Sequence, residues 1–110
     1  MQARAEVDAG ICGFRTTLCA TSEDDQHVDF EITTDCDKIA QVALRIKEHA
    51  PVDAFEEIGA GREGVVMGSV RCVLTGCCAG CAVPVGIFKS MQVAAALALP
   101  KDILISISKE

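Results

Sequence analysis

Polar and apolar side chains alternate in the first third of the chain, in three stretches at residues 3–9, 14–20 and 27–33. A period of two is typical of a β-strand that buries one face and exposes the other. A connection with glycine at both ends (residues 10–13) and a polar, acidic turn (residues 21–26) separate the stretches. Because these connections are short, the pattern predicts an antiparallel meander with one charged face in water.

Helical spacing replaces this alternation after Thr34. Apolar side chains between residues 36 and 49 recur at intervals of three and four, which predicts an amphipathic helix. Thr34 is a suitable N-cap for this helix, and Pro51 ends it. We interpret His49 as a partner for the C-terminus of the helix rather than as a ligand.

The C-terminal half predicts a second, almost wholly apolar helix at residues 84–98. Pro84 suits the first turn of that helix, and Pro100 ends it. Since its apolar residues lie nearly all round, we expect a central, buried helix. Residues 65–75 fit either a helix or a strand, and we favour a helix.

Alternation returns at the end of the chain, where Ile103, Ile105 and Ile107 predict a last strand. The predicted order of elements is β-β-β-α-(α)-α-β. It indicates an α+β fold, a two-layer sandwich in which helices cover one face of a mainly antiparallel sheet. The length of 110 residues predicts a single domain, residues 1–110.

Composition narrows the class of protein. Half of the residues are hydrophobic, but the chain has only four Phe and no Trp or Tyr, so its core must be aliphatic. The net charge of -6 argues against nucleic acid or an anionic membrane as a partner. We see no signal peptide, and the longest apolar run, near residues 93–99, is too short to cross a bilayer. We therefore expect a soluble, cytoplasmic protein.

Seven cysteines are an unusual number for a chain of this length. An odd number without a secretion signal argues against a disulfide framework and favours metal or redox chemistry. Three of the seven lie in one short loop before Pro84, together with Gly76 and Gly80.

The predicted topology brings several cysteines to one end of the domain. Cys12 lies in the first connection, and Cys36 follows the third strand, which ends at the same edge of the sheet. If residues 65–75 form a helix that runs back toward this edge, the loop with Cys77, Cys78 and Cys81 arrives there too. The candidate metal ligands are therefore Cys12, Cys36, Cys77, Cys78 and Cys81.

The local chemistry agrees with this site. Cys36 and Cys81 lie at helix starts, where free N–H groups and the helix dipole favour thiolate over thiol. Both Cys77-x-x-x-Cys81 and Cys78-x-x-Cys81 are usable chelating spacings, and four thiolates suit zinc or an iron–sulfur cluster. The sequence does not decide whether Cys77 or Cys78 is the fourth ligand.

The other two cysteines, Cys19 and Cys72, are interpreted as small packed apolar residues. The connector at residues 59–64 reads Gly-Ala-Gly-Arg-Glu-Gly, a literal G-x-G-x-x-G. The dinucleotide fingerprint needs a strand directly before it and an acidic residue about twenty positions later. Both are missing from the pattern, so we do not expect nucleotide binding.

Several motifs resemble a family of small, uncharacterised cysteine-containing domains from anaerobic bacteria and archaea. They are Ala-Gly-Ile-Cys-Gly-Phe at 9–14, Thr-Thr-Asp-Cys at 33–36, Cys-Ala-Val-Pro at 81–84 and Ala-Ala-Leu-Ala-Leu-Pro-Lys-Asp at 95–102. In that family the third motif usually reads Cys-Pro-Val-Pro, and this chain departs from it at Ala82.

The resemblance covers nearly the whole chain but implies no established activity. It implies that Cys12, Cys36 and Cys81 are the positions to watch. It also implies the cytoplasm of an anaerobe, where exposed thiols and iron–sulfur clusters survive.

Three functions remain open on the sequence. The first is a metal-binding domain, with zinc or an iron–sulfur cluster held by the converging cysteines. The second is a metal-free thiol redox or thiol-transfer protein that uses Cys77-Cys78 or the Cys78/Cys81 pair. The third is a structural or interaction module, for which a homodimer is one expectation. No acid–base pair or phosphate loop indicates an enzyme.

Overall fold

A four-stranded antiparallel sheet, covered on one face by helices, forms the body of the protein. The fold is taken from a computed structural model that describes residues 1–59 and 61–110. The strands are β1 (Gln2–Asp8), β2 (Arg15–Thr21), β3 (His27–Thr34) and β4 (Val52–Asp53), and they lie in this order in the sheet. The helices are α1 (Asp37–Glu48), α2 (Ala54–Glu57), α3 (Val65–Val73) and α4 (Val83–Ala94), with a 3-10 helix at Gly76–Gly80.

This architecture confirms the predicted α+β sandwich with a mainly antiparallel sheet. The three N-terminal strands pair as a meander, with Ala5 opposite Leu18 and Leu18 opposite Ile32. The predicted period of two is also correct in β2, where Thr16, Leu18 and Ala20 are buried and Arg15 and Thr17 are exposed. The period of two was informative here because only one face of the sheet meets the helices.

Aliphatic side chains from both layers form the core. The helices α1 and α4 lie against the sheet, and α3 packs beside α1, with Val66 and Val70 buried. The prediction of a helix at residues 65–75 is therefore confirmed. The largest fully buried hydrophobic side chains are those of Ile39, Ile46, Ile87, Met91, Val28, Val42, Val52, Val66 and Val83.

The apolar stretch Gly76–Ala94 is long and apolar enough to cross a membrane, by length and composition alone. It is longer than the run near residues 93–99, which the sequence pattern indicated as the longest apolar one. In the fold it comprises the 3-10 helix and α4, and α4 packs against β1 and β2. The core helix of a water-soluble domain has the same composition, so the stretch is weak evidence for a membrane span.

The predicted last strand is wrong. Residues 99–110 have no regular secondary structure and are exposed, and the fourth strand of the sheet is instead Val52–Asp53, paired with β3. The alternating pattern at Ile103–Ile107 gives a segment the capacity to form a strand, but a strand also needs a partner edge. In this fold the segment reaches none.

The end of α4 also differs from the sequence-based bounds. The helix stops at Ala94 rather than at residue 98, and Ala96 adopts a left-handed conformation with φ +60°. Leu97 N–H donates to the Gln92 carbonyl at 2.7 Å, and Ala96 N–H donates to the Val93 carbonyl at 3.1 Å. This is a Schellman cap, which ends the helix before Pro100 does.

The connector before α3 is organised by a buried carboxylate, not by a nucleotide site. Glu57 Oε2 accepts from Val65 N–H at 2.8 Å, and Glu57 Oε1 accepts from Val66 N–H at 2.6 Å. The start of α3 is where the phosphate of a nucleotide would bind, and Glu57 already occupies it. The motif at 59–64 follows a helix rather than a strand, and its Ala60 lies outside the described residues.

Candidate thiol site

Three separate segments meet at the end of the sheet that carries the β1–β2 turn (residues 9–14), which we call the upper end. Thr16 pairs with Thr34, and Asp35 N–H donates to the Arg15 carbonyl at 3.4 Å, so α1 begins beside this turn. A Cβ added to Gly86 would lie 2.7 Å from Val7 Cγ2, so the first turns of α4 lie over the end of β1. The β1–β2 turn, the start of α1 and the start of α4 therefore meet at the upper end, as the predicted topology required.

Cys12 lies at the tip of the β1–β2 turn. Ala9 N–H donates to the Phe14 carbonyl at 3.3 Å and Gly13 N–H donates to the Gly10 carbonyl at 2.9 Å, which closes the turn. Gly10 and Gly13 have φ of +90° and +75°, a conformation that other residues rarely adopt. Cys12 is exposed, so its sulfur faces solvent at the edge of the site.

Cys36 is the N-cap residue of α1, and its side chain makes no capping hydrogen bond. The prediction of Thr34 as N-cap is therefore wrong by two residues. The Thr34 hydroxyl instead accepts from Cys36 N–H at 3.2 Å and lies 2.7 Å from the Thr16 hydroxyl. These contacts fix the backbone of Cys36 to the sheet, and Cys36 packs, partly buried, against the core.

The 3-10 helix gives the two adjacent cysteines of the loop, Cys77 and Cys78, different environments. Cys78 is partly buried and packs against the core, whereas Cys77 is exposed. Cys78 N–H donates to the Thr75 carbonyl at 3.2 Å, and Cys81 N–H donates to the Cys78 carbonyl at 3.1 Å. The tight turn from Cys78 to Cys81 brings the two ends of the C-x-x-C spacing close together.

Cys81 lies just before α4, and its thiol accepts a hydrogen bond from Val83 N–H. Its pKa is raised above the ordinary value of 9.0, chiefly because burial disfavours the charged thiolate. The Val83 bond lowers the pKa, while the neighbouring Cys12, Cys36 and Cys78 raise it by repulsion between like charges. The sulfurs of Cys12, Cys36 and Cys78 therefore each lie within electrostatic range of Cys81.

The raised pKa of Cys81 corrects one expectation from the sequence. The position at a helix start predicted that the thiolate of Cys81 would be favoured. In the fold the side chain is partly buried, and burial together with three neighbouring thiols outweighs the helix-start N–H group. Without a cation nearby, Cys81 is a thiol at neutral pH.

The arrangement is a cluster and not a closed metal site. Within residues 1–59 and 61–110, no three His, Cys, Asp or Glu side chains are grouped closely enough to hold a metal ion. All seven cysteines are free thiols. The donor type suits a soft metal, and the present spacing does not yet enclose one.

Cys19 and Cys72 stay outside the site. Cys19 is half-buried on β2, with its sulfur 4.0 Å from the Thr21 hydroxyl. Cys72 is exposed on α3, so the prediction that it packs as an apolar residue is wrong. The ambiguity of residues 65–75 hid this, because the face to which Cys72 points depends on the helical phase of α3.

Both histidines lie at the opposite end of the domain. His49 Nδ1 lies 2.9 Å from the Arg45 carbonyl at the C-terminus of α1, as expected for a partner of that terminus. His27 Nδ1 lies 2.7 Å from Asp24 Oδ2 in the β2–β3 turn. Neither imidazole can act as a base or a ligand for the upper-end thiols.

Sequence reasoning missed two polar groups that shape the structure, Glu57 and the Thr16–Thr34 hydroxyl pair. Glu57 lies eight residues before α3, outside any local capping motif. A signal for Thr16 existed, since it is the polar member of an otherwise apolar strand face.

Comparison with known proteins gives a family but no activity. The model of DUF6951, a family of unknown function, matches residues 3–107. No curated protein and no solved structure matches the chain. The match includes all seven cysteines and most of the C-terminal segment.

Proposed function

Since the chain belongs to DUF6951, whose function is unknown, we propose from its own residues that the upper end is a thiolate metal site. The ligands would be Cys12, Cys36, Cys78 and Cys81, and the metal would be zinc or an iron–sulfur cluster. The observation that carries the proposal is that Cys12, Cys36 and Cys78, from three parts of the chain, each lie close enough to Cys81 to affect the charge on its sulfur.

The ionisation of Cys81 supports a cation at this site. Three neighbouring thiols make it harder to form a thiolate at Cys81, so the cluster as it stands has no compensating charge. A bound cation would reverse this, because it stabilises several thiolates at once and displaces their protons. Pure-thiolate ligation suits both zinc and iron–sulfur clusters.

The choice between Cys77 and Cys78 is supported by burial. Cys78 packs against the core beside Cys81, and its charge acts on the Cys81 thiol. Cys77 is exposed. Cys78 is therefore the proposed fourth ligand, together with the C-x-x-C spacing to Cys81.

The turn that carries Cys12 would close the site. It projects from the end of a two-stranded hairpin and is held by backbone hydrogen bonds and by Asp8 Oδ1, which accepts from Gly10 N–H at 3.0 Å. Because Cys12 is exposed, it has room to move toward the cluster when a metal binds.

The test is metal content after anaerobic purification. We expect close to one zinc, or iron with sulfide and visible absorption, per chain. Replacing any proposed ligand by serine should weaken metal binding at least about tenfold. The ligand variants are Cys12→Ser, Cys36→Ser, Cys78→Ser and Cys81→Ser, and the matched controls are Cys77→Ser and Cys72→Ser. A protein that contains no metal, and folds equally well with a chelator, would contradict the proposal.

The turn from Cys78 to Cys81 favours a second candidate, a metal-free dithiol. The two residues are joined by the Cys81 N–H to Cys78 carbonyl bond, in the C-x-x-C spacing of thiol oxidoreductases. Oxidation would form one Sγ–Sγ bond and pass two electrons and two protons to a disulfide acceptor. The raised pKa of Cys81 makes it a poor attacking thiol at neutral pH, which ranks this candidate second.

A thiol count separates the two candidates. After mild oxidation of metal-free protein, a dithiol protein should lose two thiols, and Cys78→Ser should abolish that loss while Cys77→Ser leaves it. Unchanged thiol numbers together with bound metal would favour the metal site.

A further inference from the structure

The C-terminal segment is a strand-forming sequence without a partner. Residues 99–110 are exposed throughout, and Leu104 and Ile107 each expose 91% of their surface. In a strand, Ile103, Ile105 and Ile107 would lie on one side, with Leu104 and Ser106 on the other. Isolated exposed apolar residues are ordinary, but five large ones in nine positions mark an interaction segment.

The sheet has one long free edge that matches such a segment. The order β1-β2-β3-β4 leaves β1, seven residues long, at an edge. An open edge is a template for another strand. The opposite edge is formed by the two-residue β4, which is too short for this purpose.

Hydrogen bonds at both ends of β1 show which of its backbone groups are free. Met1 and Ser22 exchange both of their backbone bonds, and Ala9 N–H donates to the Phe14 carbonyl. Hydrogen-bonded pairs alternate in an antiparallel ladder, so the odd-numbered residues of β1 bond to β2. The even-numbered residues Gln2, Arg4, Glu6 and Asp8 direct their N–H and C=O groups to the free edge.

The side chains at this edge leave space for the isoleucines. The inward residues of β1 are Ala3, Ala5 and Val7, and both Ala5 and Val7 are only partly buried beside α4. A strand added next to β1 would place Ile103, Ile105 and Ile107 on this same face. These three isoleucine side chains would extend the hydrophobic core beyond β1.

A second copy of the chain is the partner that these features favour. In the single chain the segment is exposed and does not pair with its own β1. Twelve extended residues reach about 40 Å, enough to cross to a neighbour, and each copy carries one segment and one free edge. Three isoleucine side chains at roughly 100 Å² each, on two segments, plus the surfaces they cover, give about 1,200 Å². A stable interface buries about 1,200–2,000 Å².

We propose that the protein forms a two-fold dimer by strand exchange. Residues 103–107 of each copy pair with β1 of the other, which extends each sheet to five strands. Main-chain hydrogen bonds give this mode its strength, and the period of two sets which face is buried. The exchange would give the strand pattern at residues 103–107 a partner strand, which it lacks within residues 1–59 and 61–110 of the single chain. It is independent of the proposed metal site.

The test is the oligomeric state of the full-length protein and of two variants. Wild type should have twice the chain mass by light scattering at micromolar concentration. Ile103→Asp/Ile105→Asp should be monomeric, because charged side chains cannot enter the core. Glu6→Pro should also be monomeric, since proline removes an N–H group that faces the free edge. Glu6→Gln is the matched control and should stay dimeric.

Mixing the two monomeric variants gives the sharper result. One has an intact edge and the other an intact segment, so the pair can make one of the two exchanges. We expect a heterodimer that is weaker than the wild-type dimer and that neither variant forms alone. Circular dichroism of the Ile103→Asp/Ile105→Asp variant should match wild type, because these residues are exposed in the monomer.

Two outcomes would overturn the proposal. A wild-type monomer whose amides at residues 103–107 resist hydrogen exchange would show that the segment pairs with its own β1. A wild-type monomer whose amides at residues 103–107 exchange freely would mean that the segment pairs with a different protein.

Discussion

The residue that defines the candidate site is Cys81, because its pKa depends on the three neighbouring cysteines. Burial and three neighbouring thiols raise its pKa, against the pull of the Val83 N–H. Its thiol must lose a proton to bind a cation, so metal affinity should fall as the pH is lowered. We expect Cys36→Ser, which removes one repelling thiol, to lower the pKa of Cys81 in metal-free protein. Alkylation rates against pH would measure this, with Cys72→Ser as control.

At the opposite end, Asp24 governs the ionisation of His27. The bond between the carboxylate and the imidazole raises the pKa of His27 above 6.5. The backbone N–H of His27, and then its imidazole, donate to the Asp24 carboxylate and hold its pKa well below 3.8. The stabilisation from His27 is therefore fully present below pH 6.5 and is lost as the pH rises through the raised pKa. That from Asp24 is present above pH 3.8 and is lost as the pH falls through the lowered pKa.

Asp24→Asn should bring the pKa of His27 back toward 6.5. The measurement is an NMR titration of the imidazole, with Asp25→Asn as the matched control, since Asp25 makes no contact with the ring among the described residues. An unchanged His27 pKa in Asp24→Asn would contradict the assignment of the shift to this bond.

Glu57 shows how one buried carboxylate can set the start of a helix. It accepts from two N–H groups of α3, and Gly64 lies so close that a Cβ there would collide with the carboxylate. We expect Glu57→Gln to destabilise the protein by about 1–2 kcal/mol, because an amide can accept only at its oxygen. Gly64→Ala should cost a similar amount by displacing the side chain.

Denaturant unfolding would measure both changes. The control is Glu56→Gln, since Glu56 forms only an exposed contact with Arg62 at 3.7 Å, which contributes little. If Glu56→Gln and Glu57→Gln had equal effects, the capping role of Glu57 would be refuted.

At the scale of elements, the two ends of α4 have different roles. Its start carries the site, and its end is a Schellman cap in which Ala96 takes a left-handed conformation. That conformation costs an L-residue about 1 kcal/mol, and glycine adopts it freely. Ala96→Gly should therefore raise the free energy of unfolding by about 0.5–1 kcal/mol.

The control for the cap is Ala98→Gly, two residues beyond it, which should have little effect or destabilise slightly. A loss of stability in Ala96→Gly would mean that Ala96 is not held in this conformation in solution.

At the scale of the whole molecule, metal binding should couple to stability. The proposed ligands come from the β1–β2 turn, the start of α1 and the segment before α4, so a bound ion would join parts that unfolding separates. Free zinc at one hundred times its Kd would add about 2.7 kcal/mol. The melting temperature should rise with zinc and fall back with chelator, and Cys12→Ser should remove most of the rise.

Much of this fold was predictable from local pattern. The period of two gave β1, β2 and β3, and the helical period gave α1, because each of these elements has one buried and one exposed face. Short connections then fixed the directions of the elements, and directions alone predicted that Cys12, Cys36 and the 76–83 loop would meet. The sequence alone determined which elements share the upper end of the molecule.

Tertiary structure determined the features that a local sequence pattern does not encode, namely burial, charge interactions and strand pairing. The separation of Cys77 from Cys78 depends on the 3-10 helix, and the raised pKa of Cys81 depends on burial by distant residues. The last strand failed for a related reason, since Ile103–Ile107 has the right side chains but a strand exists only where an edge receives it. Burial, charge and pairing are properties of neighbours, and neighbours are known only once the chain has folded.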